Sequence, residues 1–167
     1  KNAEVYSVPG KDNELKKLQL ICPKGTSVTP ELIEENIGIS KDFNNFELRN
    51  AIGEKDSVKA HRIANYFAQN PKDNPLIVTV SLLFGYFSQI LQFHGLPDKS
   101  KASVAKQLKI SPFFVNDYVV AARNYPMKKV SRNISLIQET DVKSKGVGAG
   151  NVPPGDLLKE LLVKIMN

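Results

Sequence analysis

An all-α fold is what this sequence predicts, a short helical segment followed by a larger helical bundle, and three observations carry it. Apolar residues recur at helical rather than alternating spacing over most of the 167 positions. A capping side chain stands directly before proline at Thr29-Pro30, Asn74-Pro75 and Ser111-Pro112. In such a pair the side-chain oxygen accepts from a free first-turn amide, and proline lacks the N–H that would be unpaired there. Finally, the sequence offers neither convincing strand pairs nor a βαβ alternation.

Taken in order, "ELIEENIG" follows Thr29-Pro30 and runs to Gly38, a helix stop that glycine accommodates. The polar stretch "GISKDFNN" (38–45) then marks a boundary, dividing the chain into residues 1–43 and 44–167. "FELRNAIG" (46–53) reads as a short helix. Residues 56–70 read as a longer amphipathic one, with Val58, Ala60, Ile63, Ala64 and Phe67 on its apolar face. "PLIVTVSLLFGYFSQILQF" (75–93) opens with β-branched residues suited to a strand, but its length and Asn-Pro start favour a helix. Its near-complete apolarity predicts burial on most sides, as the central core helix. Further helices are expected at 100–109, 112–125, 127–145 and 154–166. On the last, Leu157, Leu161, Leu162 and Ile165 either complete the protein's own core or form a subunit interface.

Composition narrows the function classes. Hydrophobic residues make up 41% and charged residues 24%, values of a globular rather than a disordered chain. The single cysteine, Cys22, excludes an internal disulfide and suits a reducing, cytoplasmic setting. The chain starts at Lys1 without a signal-peptide pattern and is expected to be the C-terminal part of something longer. Thr79, Ser81, Ser88, Gln89 and Gln92 interrupt the most apolar stretch, which is expected to fall short of the ~20 predominantly apolar residues of a membrane span. The net charge of +6 is concentrated: residues 99–145 hold ten Lys or Arg against three acids. Such a basic third fits either a nucleic-acid neighbour or ordinary solvated helix faces.

Chemical motifs are scarce. "KSKGVGAGN" (143–151) has the glycine density of a phosphate loop, but its glycines are spaced G-x-G-x-G. A helical pattern leads into it, and Asn151-Val152-Pro153 follows instead of the expected lysine and hydroxyl residue. A helix-to-helix connection is the better account. His61, His94 and Cys22 are too dispersed for a metal or nucleophile site, so no catalytic residue, metal or cofactor is assigned. "SVAKQLKISPFFVNDYVVAAR" (103–123) resembles a helix-turn-helix, with Ala105 and Val115 inside and Ile110 in the turn. Against DNA reading, Lys109 occupies the usual glycine place, and Pro112, Phe113, Phe114 and Asp117 open the second helix where base-reading side chains belong. Phe113 and Phe114 are expected to be packing anchors. Were it a DNA reader, it would expose Lys106, Lys109 and Asn116 on one protruding helix; an assembly module would expose an apolar patch instead.

The order of these pieces resembles the C-terminal half of the delta subunit of bacterial DNA polymerase III, one of the clamp-loader subunits. "NELKKLQLICPKGTSVTPELIEENIG" (13–38) is similar to the end of that family's helical lid domain, and "NNFELRNAIGEKDSVKAHRI" (44–63) to its passage from lid to collar. "SVAKQLKISPFFVNDYVVAARNY" (103–125) is similar to the family's A-x-x-L-x-[IV]-x-P-[FY] helix pair, and "ETDVKSKG" (139–146) to its D-x-x-x-K helix end. The resemblance implies a lid remnant over 1–43 and an all-helical collar over 44–167. It further implies a non-catalytic assembly role in loading the sliding clamp onto primed DNA, as part of an AAA+-related loader. Partners would be the other loader subunits through the collar, with the clamp reached only through an N-terminal domain that this sequence lacks. Within the assembled loader, Lys143, Lys145, Lys128, Lys129 and Arg132 are the candidate DNA contacts.

Overall fold

The computed structural model describes residues 43–148 and 150–167. The expectations for Cys22, Thr29-Pro30, the Gly38 stop and the lid remnant lie outside the described residues. Within them are seven α-helices: α1 (Asn45–Glu54), α2 (Ser57–Gln69), α3 (Leu76–Gly95), α4 (Lys101–Leu108), α5 (Val115–Asn124), α6 (Met127–Ser144) and α7 (Pro154–Met166). No strand occurs among the described residues. The helices close a packing circuit, α1 on α2, α2 on α7, α7 on α6, α6 on α3, α3 on α5 and α5 back on α1. The all-α expectation therefore stands, with its core in the middle of this circuit.

Local chemistry explains where helices start and stop. Asn44 Oδ1 accepts from the amides of Phe46 and Glu47 at 2.9 and 3.0 Å and so caps α1. Asp56 does the same for α2 through the Lys59 amide, at 2.9 Å. Two helices end on a lysine in the left-handed region, Lys55 (φ 60°) and Lys109 (φ 54°). The following amides, of Asp56 and Ile110, then turn back to the carbonyls of Ala51 and Ala105. Lys109 thus adopts the conformation that glycine usually supplies at such a turn, at some backbone strain.

Several expected details differ. Asn74 does not cap α3: its Nδ2 donates back to the Asn70 carbonyl at 3.1 Å, and Pro75 occupies the cap position without a side-chain bond. The helix expected over 112–125 is broken, because Ser111 starts a single 3-10 turn at Pro112–Phe114 before α5 begins. Val58 is 70% exposed, since it lies in the first turn of α2, while Ala60, Ile63, Ala64 and Phe67 are buried as expected. Phe113 is 80% exposed and does not pack into the core, whereas Phe114 packs against it.

Side chains from α5 and its end close off α1. The buried Tyr125 hydroxyl donates to the Ile52 carbonyl at 2.8 Å, and Asn124 Nδ2 donates to the Gly53 carbonyl at 2.8 Å. These are carbonyls of the last turn, where α-helical partners run out, and that of Ile52 also accepts from the Lys55 amide at 3.0 Å. A Cβ at Gly53 would meet the hydroxyl of the buried Tyr86 and force that ring to shift. Gly155 lets α7 cross closely over α2, since a Cβ there would clash with the Cβ and backbone Cα of Ala68.

The central helix α3 is long and apolar enough, by length and composition, to cross a membrane, contrary to the sequence expectation. Its 20 residues bury Leu76, Val80, Leu83, Phe87, Ile90 and Phe93 against neighbouring helices, as the core helix of a bundle does. The expected burial on most sides is not observed, because only one face is covered. Ile77, Val78, Leu82 and Phe84 point outward.

Candidate interface for assembly

The apolar face of the final helix is covered within the bundle. Leu157, Leu161, Leu162 and Ile165 are all buried in the protein's own core, where α7 lies against α2 and α6. Of its large apolar residues only Val163 is exposed. Four residues at i, i+4, i+5 and i+8 line one helical face, and here the neighbouring helices rather than a partner supply the cover for that face.

Among the described residues, the unpartnered apolar surface lies instead on α3. Ile77, Val78, Leu82 and Phe84 are exposed over its first half, giving way to Ser88, Gln89 and Gln92 over the second. No Asp, Glu, Lys or Arg occurs in Leu76–Gly95. Ser81 and Ser88 donate to the carbonyls of Ile77 and Phe84 at 2.8 and 2.7 Å, so they satisfy themselves locally and leave the ridge with little need for water. Two grooves flank this ridge and share Ser81 and Phe84. One, of about 630 Å³, runs between α3 and α6 past Ile137 and Val142. The other, of about 520 Å³, runs between α3, α1 and α5 past Phe46, Arg49 and Tyr118. Phe46 and Phe113 extend the apolar surface, Phe114 bridging them through edge contacts at 5.5 and 5.3 Å.

In the second groove Tyr118 donates to Gln89 Oε1 at 2.6 Å, and Gln89 Nε2 donates to the Leu108 carbonyl at 3.1 Å. Burial pushes the Tyr86 and Tyr118 phenols above their ordinary range, with Arg49 opposing the shift. Both rings are buried, and the Arg49 guanidinium carbon lies 5.4 and 6.0 Å from their centres, within reach of a cation-π contact.

The basic candidates divide into two groups. Lys143 sits 2.8 Å from Glu139 and 3.5 Å from Glu160, and Lys145 sits 2.6 Å from Asp141. Their charges are locally matched, although exposed pairs of this kind are weak. Lys128 and Arg132 are exposed near the start of α6. Lys129 donates to the Asn167 carbonyl at 2.7 Å. Burial, then the neighbouring Lys55 and Arg132, hold its ammonium below the ordinary lysine range. In the glycine loop Gly146, Gly148 and Gly150 all have positive φ, a path for which glycine is suited. It joins α6 to α7, as a connection rather than a strand-to-helix phosphate loop would.

Residues 103–123 form a helix, a turn and a second helix, with Ala105 and Val115 buried and Ile110 half-buried. Lys106, Lys109 and Asn116 are exposed, but α5 does not protrude. Val115, Tyr118, Ala121 and Ala122 pack it down on α1 and α3. Among the described residues, no three His, Cys, Asp or Glu side chains gather to hold a metal.

Sequence reasoning missed Arg49, Ile77, Leu82 and Phe84 as surface features. For the three α3 residues the available signal was the apolarity of residues 76–87, more than one seam in a domain of this size can cover.

The class these observations define is an all-helical bundle with a charge-free apolar ridge on its surface. The family model for the C-terminal domain of the DNA polymerase III delta subunit matches residues 42–162, and the chain belongs to this family. No curated protein and no solved structure matches the chain.

Proposed function

We propose that this chain is the non-catalytic assembly region of a clamp-loader delta subunit, acting in the cytoplasm to help load the sliding clamp onto primed DNA. Residues 44–167 would be the collar and residues 1–43 the end of a lid domain. The observation that carries this reading is the outer face of α3, where Ile77, Val78, Leu82 and Phe84 stand exposed with no charge among them. A stable interface buries ~1,600 Å² with an apolar centre and a polar rim, and the ridge with its Ser88, Gln89 and Gln92 continuation has that composition. The partners are the other loader subunits; the sliding clamp is reached through an N-terminal domain of the same polypeptide.

The test is size-exclusion chromatography with light scattering, mixing the protein with the loader's ATPase subunit and its other collar-bearing partner. A complex that forms with the native chain and is lost with Leu82→Glu supports the reading. A complex indifferent to Leu82→Glu counts against α3 as its seat.

Contact with primed DNA in the assembled loader is supported by the cluster of Lys55, Lys129 and Arg132, whose mutual repulsion a phosphate would relieve, with exposed Lys128 next to it in sequence. Lys143 and Lys145 would have to exchange their carboxylates for phosphate and so contribute less. Charge reversal at Lys128 and Arg132 should lower salt-dependent binding of primed DNA by the loader more than reversal at Lys143 and Lys145. The opposite ranking would reassign the contact to the glycine loop.

A further inference from the structure

The groove beside the ridge contains an arginine whose chemistry the described residues do not complete. The Arg49 guanidinium carbon lies 4.4 Å from the ring centre of Phe46, 5.4 Å from Tyr86, 5.9 Å from Phe114 and 6.0 Å from Tyr118. Guanidinium carries five N–H donors. Its hydrogen bond runs from Nη2 to Asn50 Oδ1 at 3.1 Å, and Nε is buried without any partner. No carboxylate among the described residues pairs with it, and Glu47 on the same helix is engaged by Lys59. Beside it, Asn45 Oδ1 is a second buried polar atom without a partner. The lining of the groove includes no Asp or Glu, so the uncompensated charge there is positive.

Aromatic faces stabilise the cation but accept no strong hydrogen bonds in the fork geometry of guanidinium, which a planar carboxylate matches. An unpaired acceptor at Asn45 further suits a ligand that donates an N–H, as a peptide does. Arg49 is also the one Lys or Arg in this lining, the rest being apolar or neutral. A nucleic-acid strand, whose affinity grows with the number of phosphates neutralised, would gain little here. An acidic side chain on an apolar segment would gain both the fork and the adjoining Leu82 and Phe84.

We propose that the Arg49 groove receives an aspartate or glutamate carried on an apolar segment of a neighbouring loader subunit, with Phe46, Tyr86 and Tyr118 desolvating the pair. This rests on the assembly reading of α3, and makes Arg49 the charged anchor of that interface. Arginine ringed by aromatic side chains is the composition in which interface energy concentrates.

The test uses the full-length delta protein and titrates it against the two partner proteins at low and high salt. Variants are Arg49→Met, which keeps an apolar stem, Arg49→Lys, which keeps the charge without the fork, and Leu82→Glu. Arg49→Met is expected to weaken binding ~10- to 100-fold and flatten its salt dependence, with Arg49→Lys recovering only part of the loss. If Leu82→Glu abolishes binding while Arg49→Met retains native affinity, the groove proposal fails and the assembly reading survives. If neither variant weakens binding, both fail. Equal losses in Arg49→Met and Arg49→Lys, with a lowered unfolding midpoint and an unchanged salt slope, would mean that Arg49 only holds the fold. A loss confined to primed-DNA binding would make the groove a nucleic-acid site and overturn the proposal.

Discussion

Leu161→Ala and Leu82→Ala should separate core from interface in a single unfolding experiment. Leu161 is 0% exposed in the bundle, while Leu82, on the outer face of α3, is 52% exposed. Truncating leucine to alanine removes three carbons, at ~0.8 kcal/mol each when fully buried, or about 2.4 kcal/mol. The space left between α7, α2 and α6 adds a cavity penalty, which brings the expected loss for Leu161→Ala to about 3–4 kcal/mol. For a chain of this size that corresponds to a fall of roughly 10 °C in the unfolding midpoint. Leu82→Ala should change stability by less than about 0.5 kcal/mol, because that side chain already meets water. Urea unfolding followed by circular dichroism gives both numbers. Two results would refute the assignment of the two faces. One is a native midpoint for Leu161→Ala; the other is a loss for Leu82→Ala above about 2 kcal/mol, where core truncations begin.

Two further outcomes follow from polar groups. Thr79 is buried with its hydroxyl unpartnered, so Thr79→Val should raise stability by about 1 kcal/mol in the same urea assay, and a loss would mean the hydroxyl has a partner. Lys164, with Lys143 in support, holds the Glu160 carboxyl below its usual range. Because the folded pKa is depressed, the contribution of this pair is present above the unfolded value and is lost as pH falls through the folded one. An NMR titration of Glu160 should therefore shift to higher pH in Lys164→Met; an unmoved or lowered midpoint would contradict the pairing.

The bounds of α7 were readable because Pro153-Pro154 fixes its start and the leucine spacing its extent. Those of α4 and α6 were readable to within a residue from their apolar periods. The 3-10 turn at Pro112–Phe114 was not, since Ser-Pro marks a start without saying which helix type follows. Burial was harder than secondary structure. The leucines of α7 form one narrow stripe, which serves equally well against a core or a partner, and only the fold shows α2 and α6 covering it. The first half of α3 is apolar on nearly every side, so its sequence could not tell which face the neighbouring helices would leave bare. Arg49 gave no signal at all, because its aromatic neighbours come from α1, α3, α5 and the turn before α5, up to 69 positions away at Tyr118.

Hydroxyl-radical footprinting of the assembled loader tests the central claim most directly, because it reads side-chain exposure residue by residue. Assembly through α3 predicts that Leu82, Phe84 and Phe46 lose reactivity on complex formation, while exposed Val58 on α2 keeps it. Undiminished reactivity at Leu82 and Phe84 in the intact complex would contradict the account and place the interface with the other loader proteins on another face.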